Sequence, residues 1–169
     1  LEFRRVLFRS FMPTPDVALA VRKITAKGSE RIVKAAFDLA RSRKKHVTAV
    51  HKQNVLRMSD GLFLSEARKV AAANRDVAYD EQLVDSMTAL LIRNPSKYDV
   101  VVCTNMFGDI LSDEAAGLVG GLGLAPGANI GAKAAIFEDV HGSAPDIAGQ
   151  GIANPTAHML AAAMMLDHL

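Results

Sequence analysis

The sequence holds one cysteine, Cys103, so no internal disulfide can form. That thiol lies inside an apolar run, a buried position that suits a reducing compartment. No apolar run is long enough to span a bilayer, which excludes a transmembrane anchor within these residues. A charge excess of one sign is missing too: 20 Lys and Arg face 18 Asp and Glu. The small surplus sits in the first ten residues, which carry Arg4, Arg5, Arg9 and Glu2, and the remainder balances. The basic pI therefore gives no argument for a nucleic-acid partner. Internal repeats and low-complexity tracts are absent. The glycine-rich stretch 120–131 lacks the dinucleotide fingerprint, because after Gly121 and Gly123 the third glycine position is Pro126. With no Gly-Lys-Ser or Gly-Lys-Thr phosphate loop either, a Rossmann fold is unsupported. His141, Ser143 and Asp146 stand too close in sequence for hydrolase-triad geometry, and no nucleophile elbow surrounds Ser143.

What is present is an ordinary globular composition, half hydrophobic and 22% charged over 169 residues, enough to bury a core. The opening LEFRRVLFRS has no helix cap, no clear period, and neither the cleavage site nor the long apolar core of a secretory signal. Residues 1–10 read as a non-native scar and are set outside the fold. Pro13 and Pro15 mark an irregular entry, and 18–25 is a strand candidate. Ser29 is the expected N-cap of a helix carrying Ile32, Val33, Ala36, Phe37 and Ala40 at helical spacing. The cationic run Arg41, Arg43, Lys44, Lys45 suits that helix's C-terminal dipole rather than a phosphate patch. Residues 46–51 (HVTAVH) read as a strand. Ser59-Asp60-Gly61 is expected to break the chain before a helix over 62–73. A short strand at 77–79 precedes a helix over 81–93, on which Leu83, Val84, Met87, Leu90 and Leu91 form one stripe. Asn94-Pro95 stops it. Residues 98–103 read as a buried strand, and a helix follows the turn at Thr104-Asn105. Strands and helices thus alternate from 29 to 117, which predicts an α/β layer fold. Five glycines and Pro126 between 120 and 131 are too many for an element interior and mark a domain crossing. The predicted division is 11–119 and 120–169. A strand at 134–137, a polar loop at 141–151 and a helix at 157–168, with Pro155 suited to its first position, complete the chain.

Three places could carry chemistry. Asp109 and Asp113 are four residues apart, so on a helix they share a face. Paired oxygen ligands suit a hard divalent cation such as Mg²⁺ or Mn²⁺. On spacing alone, a solvated acidic turn near a helix start explains them as well. Lys52, followed by Gln53 and Asn54, leaves the end of the 46–51 strand, where α/β folds bind ligands. A lysine beside a metal and partly desolvated can lose its proton near neutral pH, which makes Lys52 a candidate proton carrier; a snorkelling surface lysine is the commoner case. Asp85 borders its helix's apolar stripe, either as a half-exposed helix acid or as a third carboxylate for the metal.

Taken together, HKQNVLRMSDGLF (51–63), VDSM (84–87), NMFGDILSDEAAG (105–117), GLAPGANIG (123–131) and HGSAPDIAGQGIANPTA (141–157) resemble the β-decarboxylating dehydrogenases, the isocitrate, 3-isopropylmalate and homoisocitrate dehydrogenase family. The motifs run in family order from about Ile24 to Leu169. The resemblance implies an incomplete fold of that type: a small dimerisation domain that carries metal and substrate ligands, then part of the large cofactor domain. It implies that Asp109 and Asp113 hold Mg²⁺ or Mn²⁺, with Asp85 supplied by the partner subunit of a homodimer or higher oligomer. Lys52, also from the partner, would help deprotonate the substrate hydroxyl, and Asn54 would lie near the substrate and nicotinamide. The loop of His141, Gly142, Ser143, Ala144, Asp146 and Ile147 would cradle the adenosine half of NAD, with Asn154 against the adenine.

A carboxylate at Asp146 accepts from a ribose 2′-hydroxyl and repels a 2′-phosphate, whereas NADP-using members carry Lys-Tyr at the sites of Asp146 and Ile147. NAD is therefore the expected cofactor. RMSDGLF and LAPGANIG favour isocitrate, while 141–157 is equally similar to isopropylmalate enzymes. The expected reaction is oxidation and decarboxylation of isocitrate, with 3-isopropylmalate and homoisocitrate as alternatives, in bacterial cytoplasm or the mitochondrial matrix. The arginines and tyrosine that complete the family's substrate site lie upstream of any match here, so the chain is expected to be inactive alone. A non-catalytic regulatory subunit is the competing class, although retention of Lys52, Asp85, Asp109 and Asp113 together argues against it.

Overall fold

The computed structural model describes residues 8–169. Packing divides the chain into two units, residues 1–108 and 109–169. The boundary falls inside a helix, eleven residues ahead of the crossing expected from the glycine-rich texture. A helix carries no sequence mark where its neighbours change.

The first unit opens with a hairpin of β1 (Phe8–Thr14) and β2 (Val17–Arg22), antiparallel about the turn at Pro15-Asp16. Three residues of the expected scar, 8–10, therefore belong to a strand; residues 1–7 lie outside the described residues. Helix α1 (Ala26–Arg41) follows. Its cap is Thr25, not Ser29: Thr25 is extended and its Oγ1 accepts from the Gly28 amide at 3.2 Å. Ser29 sits one turn inside and is buried. Both residues satisfy the cap preference, and only the local backbone chooses between them. In the last turn of the helix Arg41 pairs with Asp38 and Asp76, and beyond it Arg43 and the Lys44 amide hold Asp99 at 2.9 and 2.8 Å. Two arginines of the cationic run are thus engaged by carboxylates.

Strand β3 (His46–His51) is the middle of a parallel sheet ordered β4-β3-β5, with β4 spanning Ala78–Leu83 and β5 Val100–Cys103. Residues Val47 to Val50 are buried, as both-faced cover of a parallel strand requires. Val47, Ala49, Val100 and Val102 pack with Val33, Phe37 and Ala40 of α1 and Phe63, Leu64 and Val70 of α2 (Ser59–Ala73). Helix α3 (Val84–Arg93) packs on β3 and β4 and buries Met87 and Leu91.

Two expectations fail here. Ser59-Asp60-Gly61 is not a break but the first turn of α2, where a carboxylate suits the dipole and the Asp60 and Gly61 amides bond to the Leu56 and Arg57 carbonyls at 3.0 and 3.1 Å. Glu81, Gln82 and Leu83 are not helical; they pair with Ala49, Val50 and His51 of β3. Long-range pairing overrides their local helix preference.

Helix α4 (Asn105–Leu118) carries the chain into the second unit. There β6 (Pro126–Ile130) and β7 (Ala135–Asp139) form an antiparallel pair against α5 (Thr156–His168). Strand β6 lies inside the glycine-rich stretch taken to be irregular. It is a two-stranded edge, where Pro126 costs no central ladder bond. Gly120 and Gly121, at φ 120° and 114°, turn the chain out of α4 in a region closed to side-chain-bearing residues. Among the described residues, no helix is long and apolar enough to cross a membrane.

The Phe63 side chain is fully buried between sheet and helices. Phe63→Ala is expected to destabilise the protein by about 3–5 kcal/mol, read from urea unfolding midpoints.

Candidate functional site

In the first unit the candidate side chains gather at the carboxyl ends of the parallel strands, the edge where such sheets present ligand-binding groups. Lys52 follows the last residue of β3, and Asp85 follows β4 by two residues. Because β3 and β4 are in register to their ends, with His51 opposite Leu83, the two residues emerge side by side. Lys52 Nζ lies 2.8 Å from Asp85 Oδ1, with the lysine side chain 25% exposed and the aspartate 61% exposed. The hydrogen bond from Lys52 holds the Asp85 carboxyl below the usual carboxylate range. Next to them, His51, Gln53, Asn54, Arg57 and Leu83 line a shallow open groove of about 580 Å³. The Gln53 amide donates to His51 Nδ1 at 3.1 Å, which fixes that nitrogen as an acceptor, and burial pushes the His51 imidazole below its ordinary pKa.

Behind this edge sits a polar contact set that composition does not announce. The Asp60 side chain is completely buried. Its Oδ2 accepts from the Lys52 backbone amide at 2.7 Å, and its Oδ1 is paired with the Arg22 guanidinium. Arg22 also donates to Ser59 Oγ at 3.1 Å and Thr104 Oγ1 at 3.3 Å, and its guanidinium carbon lies 5.4 Å from the Phe107 ring centroid. The Cys103 thiol, at the end of β5, is pushed up to about 12 by burial, which leaves it a packing group rather than a nucleophile.

In the second unit Asp109 and Asp113 stand exposed, one helical turn apart on α4. Among the described residues neither carboxylate has a cationic partner. Like charges at this spacing repel, so the pair fits an all-oxygen donor set for a hard divalent cation. Among the described residues, no group of three His, Cys, Asp or Glu is placed to hold a metal.

Farther along, His141 Nε2 lies 2.9 Å from Asp139 Oδ2. The loop then passes through Ala144 in the left-handed region, a short 3₁₀ turn at Pro145–Ile147, and Gly149 and Gly151 at φ 77° and 68°. Gly142, Ser143, Ala144 and Asp146 are exposed along it and Ile147 is half-buried. Asn154 precedes Pro155, the residue that caps α5, and its Oδ1 accepts from the Thr156 amide at 3.0 Å and the Thr156 hydroxyl at 2.7 Å. That leaves the Asn154 amide group as a donor, and a Cβ on Gly123 would come within 3.4 Å of Asn154 Cβ.

The profile of isocitrate/isopropylmalate dehydrogenases matches residues 8–169. The chain belongs to the isocitrate/isopropylmalate dehydrogenase family. It is 56% identical over 155 residues to homoisocitrate dehydrogenase of Methanocaldococcus jannaschii, covering 91% of this chain and 44% of that protein. It is 55% identical over 154 residues to 3-isopropylmalate dehydrogenase of Archaeoglobus fulgidus, covering 90% and 47%. The crystal structure of isocitrate dehydrogenase from Methylococcus capsulatus superposes with a TM-score of 0.89 at 52% identity, covering 95% of this chain and 48% of that one. The chain thus spans about half the length of the relatives it matches. The dehydrogenases it resembles differ in named substrate at nearly equal identity, so identity does not choose among the three acids.

For a member of this dehydrogenase family, the sequence places Lys52 and Asn54 at a strand end and Asp85 on a separate helix, and the structure brings Lys52 and Asp85 into contact at one sheet edge. It missed Arg22 and Asp60. The available signal was an acidic residue at a helix N-terminus, hidden because Ser59-Asp60-Gly61 also reads as a turn.

The Lys52–Asp85 contact has a pH signature. Because the folded Asp85 carboxyl titrates below its unfolded value, the pair contributes above that unfolded value and is lost as pH falls through the depressed folded one. In metal-free protein, Lys52→Met is expected to move the Asp85 carboxyl ¹³C titration midpoint up toward about 3.9.

Proposed function

We propose that this chain carries the metal-ligand, proton-transfer and adenosine-binding parts of an NAD-dependent decarboxylating dehydrogenase acting on a 2-hydroxy acid, with isocitrate as the first candidate. The observation that carries the reading is the Lys52 Nζ–Asp85 Oδ1 contact at the strand ends, within a chain of this family. Asp109 and Asp113 would hold Mg²⁺ or Mn²⁺, with Asp85 reaching in from a second copy in a homodimer or larger oligomer. Two carboxylates on one helical face, neither with a cationic partner among the described residues, support that assignment. Bound there, the ion supplies Lewis-acid polarisation of the substrate's hydroxyl and carboxylate oxygens.

The chain's own groups account for the remaining work. In its neutral form Lys52 Nζ takes the hydroxyl proton as hydride leaves the carbon that bears the hydroxyl, and Asp85 lies beside the amine. Asn54, exposed beside the groove, can donate and accept at the substrate and nicotinamide edge. His141, Gly142, Ser143, Ala144, Asp146 and Ile147 form the adenosine-binding loop, and the free amide of Asn154 donates to the base. Asp146 faces the ribose, accepts from its 2′-hydroxyl and excludes a 2′-phosphate, so the cofactor is NAD rather than NADP. In balance, the hydroxy acid gives hydride to NAD and a proton to Lys52, and the resulting β-keto acid releases CO₂, leaving the C–C electron pair as an enolate that takes up one proton at carbon.

Isocitrate is favoured by RMSDGLF and LAPGANIG. Homoisocitrate and 3-isopropylmalate are the runners-up, because the chain is about as similar to enzymes named for those acids. The test uses the complete dehydrogenase chain with Mn²⁺ and NAD, offered the three acids in parallel. Lys52→Met is expected to keep Mn²⁺ binding while losing at least about 100-fold in turnover, the usual scale of a general acid–base contribution. Near-normal turnover in that variant contradicts the assignment.

A further inference from the structure

We propose that the buried Arg22–Asp60 pair is a positioning device for Lys52. The proposal rests on the reading of Lys52 as the proton carrier and extends it to residues outside the family motifs' assigned roles.

Asp60 is buried to the last atom, yet neither of its oxygens is spent on its own helix terminus alone. One oxygen takes the backbone amide of Lys52 at 2.7 Å and the other takes Arg22. The Arg22 side chain is only 12% exposed, and its planar fork is divided among three elements. It holds Asp60 and Ser59 in the first turn of α2, Thr104 just beyond β5, and the face of Phe107 in α4. A single guanidinium therefore ties the end of β2 to the start of α2 and to the exit of β5. Through Asp60 it also reaches the exit of β3. Lys52 is fixed at its amide by Asp60 and at its tip by Asp85, 2.8 Å from Nζ. With both ends held, the lysine loses the freedom that its four-carbon stem would otherwise give it.

A requirement for bulk stability alone does not account for this arrangement. A buried ion pair is a weak source of stability compared with apolar packing of the same volume, whereas it fixes geometry well. Arginine rather than lysine at position 22 is explained by the number of partners, since one ammonium cannot reach Asp60, Ser59 and Thr104 in a plane. Proton transfer is sensitive to such placement: a shift of about 1 Å can cost on the order of 100-fold in rate.

The test is made in the complete chain with Mn²⁺, NAD and its best substrate. Arg22→Met is expected to lower kcat about 10- to 100-fold with KM changed less than about 3-fold, and to speed hydrogen exchange at the Lys52 amide. Arg22→Lys keeps the charge against Asp60 but not the fork. It is expected to fold even if Arg22→Met does not, and to give an intermediate loss in kcat with the same change in exchange. A purely structural role would lower the melting temperature and leave kcat and the exchange rate of the folded fraction unchanged. That result, or unchanged exchange at the Lys52 amide in both variants, overturns the positioning role. Full turnover in Arg22→Lys alongside a dead Lys52→Met removes this proposal alone, whereas full turnover in Lys52→Met removes the proton-carrier reading on which it rests.

Discussion

Strand β3 has no free face and no free edge, and the first unit depends on that constraint. Its backbone bonds are shared with β4 on one side and β5 on the other, and its four central side chains are buried. Burial of each valine at positions 47 and 50 is worth about 1.5–3 kcal/mol, so slipping the register by one residue is costly. With the register fixed, the chain must leave β3 at one point. Lys52 is the first residue past it. The sheet therefore determines where the lysine backbone starts, before any polar contact determines where its amine ends.

The polar contacts refine that position. Asp60 accepts the Lys52 amide from inside the fold, and Arg22 neutralises the carboxylate that does so. Burying such a pair is expensive, and removing one partner alone typically costs about 3–5 kcal/mol. A core chosen only for stability would fill this space with apolar side chains. Asp85, by contrast, stands on the solvent side of Lys52 with more than half its surface exposed. The lysine is thus gripped from below by a group that cannot move and met from above by one that remains open to a further ligand. On the proposed reading, that ligand is the divalent ion shared with a second copy.

Periodicity was a good guide wherever one face of an element decides its burial. Val33, Ala36, Phe37 and Ala40 line the buried side of α1 at the expected spacing, and Met87 and Leu91 do so on α3. It misled where a long-range partner decides. Glu81 to Leu83 read as helix because Leu83 fits both a helical stripe and a strand, and only β3 alongside resolves it. β6 was hidden by Gly127 and Pro126, residues that an edge strand tolerates. The motif residues Lys52, Asp85, Asp109 and Asp113 stand out in the sequence because the proposed chemistry restricts their types and the family motifs fix their order. Arg22 and Asp60 were not legible. Their meaning lies in a contact between residues 38 positions apart, which no local pattern encodes.

On the proposed reading, one working site is built from two copies of the chain, with Asp109 and Asp113 from one and Asp85 from the other. Complementation between two inactive variants tests it most directly. Complete chains carrying Asp85→Asn and Asp109→Asn would be unfolded together, refolded as a mixture and assayed with Mn²⁺ and NAD. If the site is shared, a mixed dimer contains one site with both lesions and one with neither, so activity returns although each variant alone is dead. If Asp85 and Asp109 serve the same site from the same copy, every site in the mixture carries a lesion, and the mixture stays as inactive as its parts.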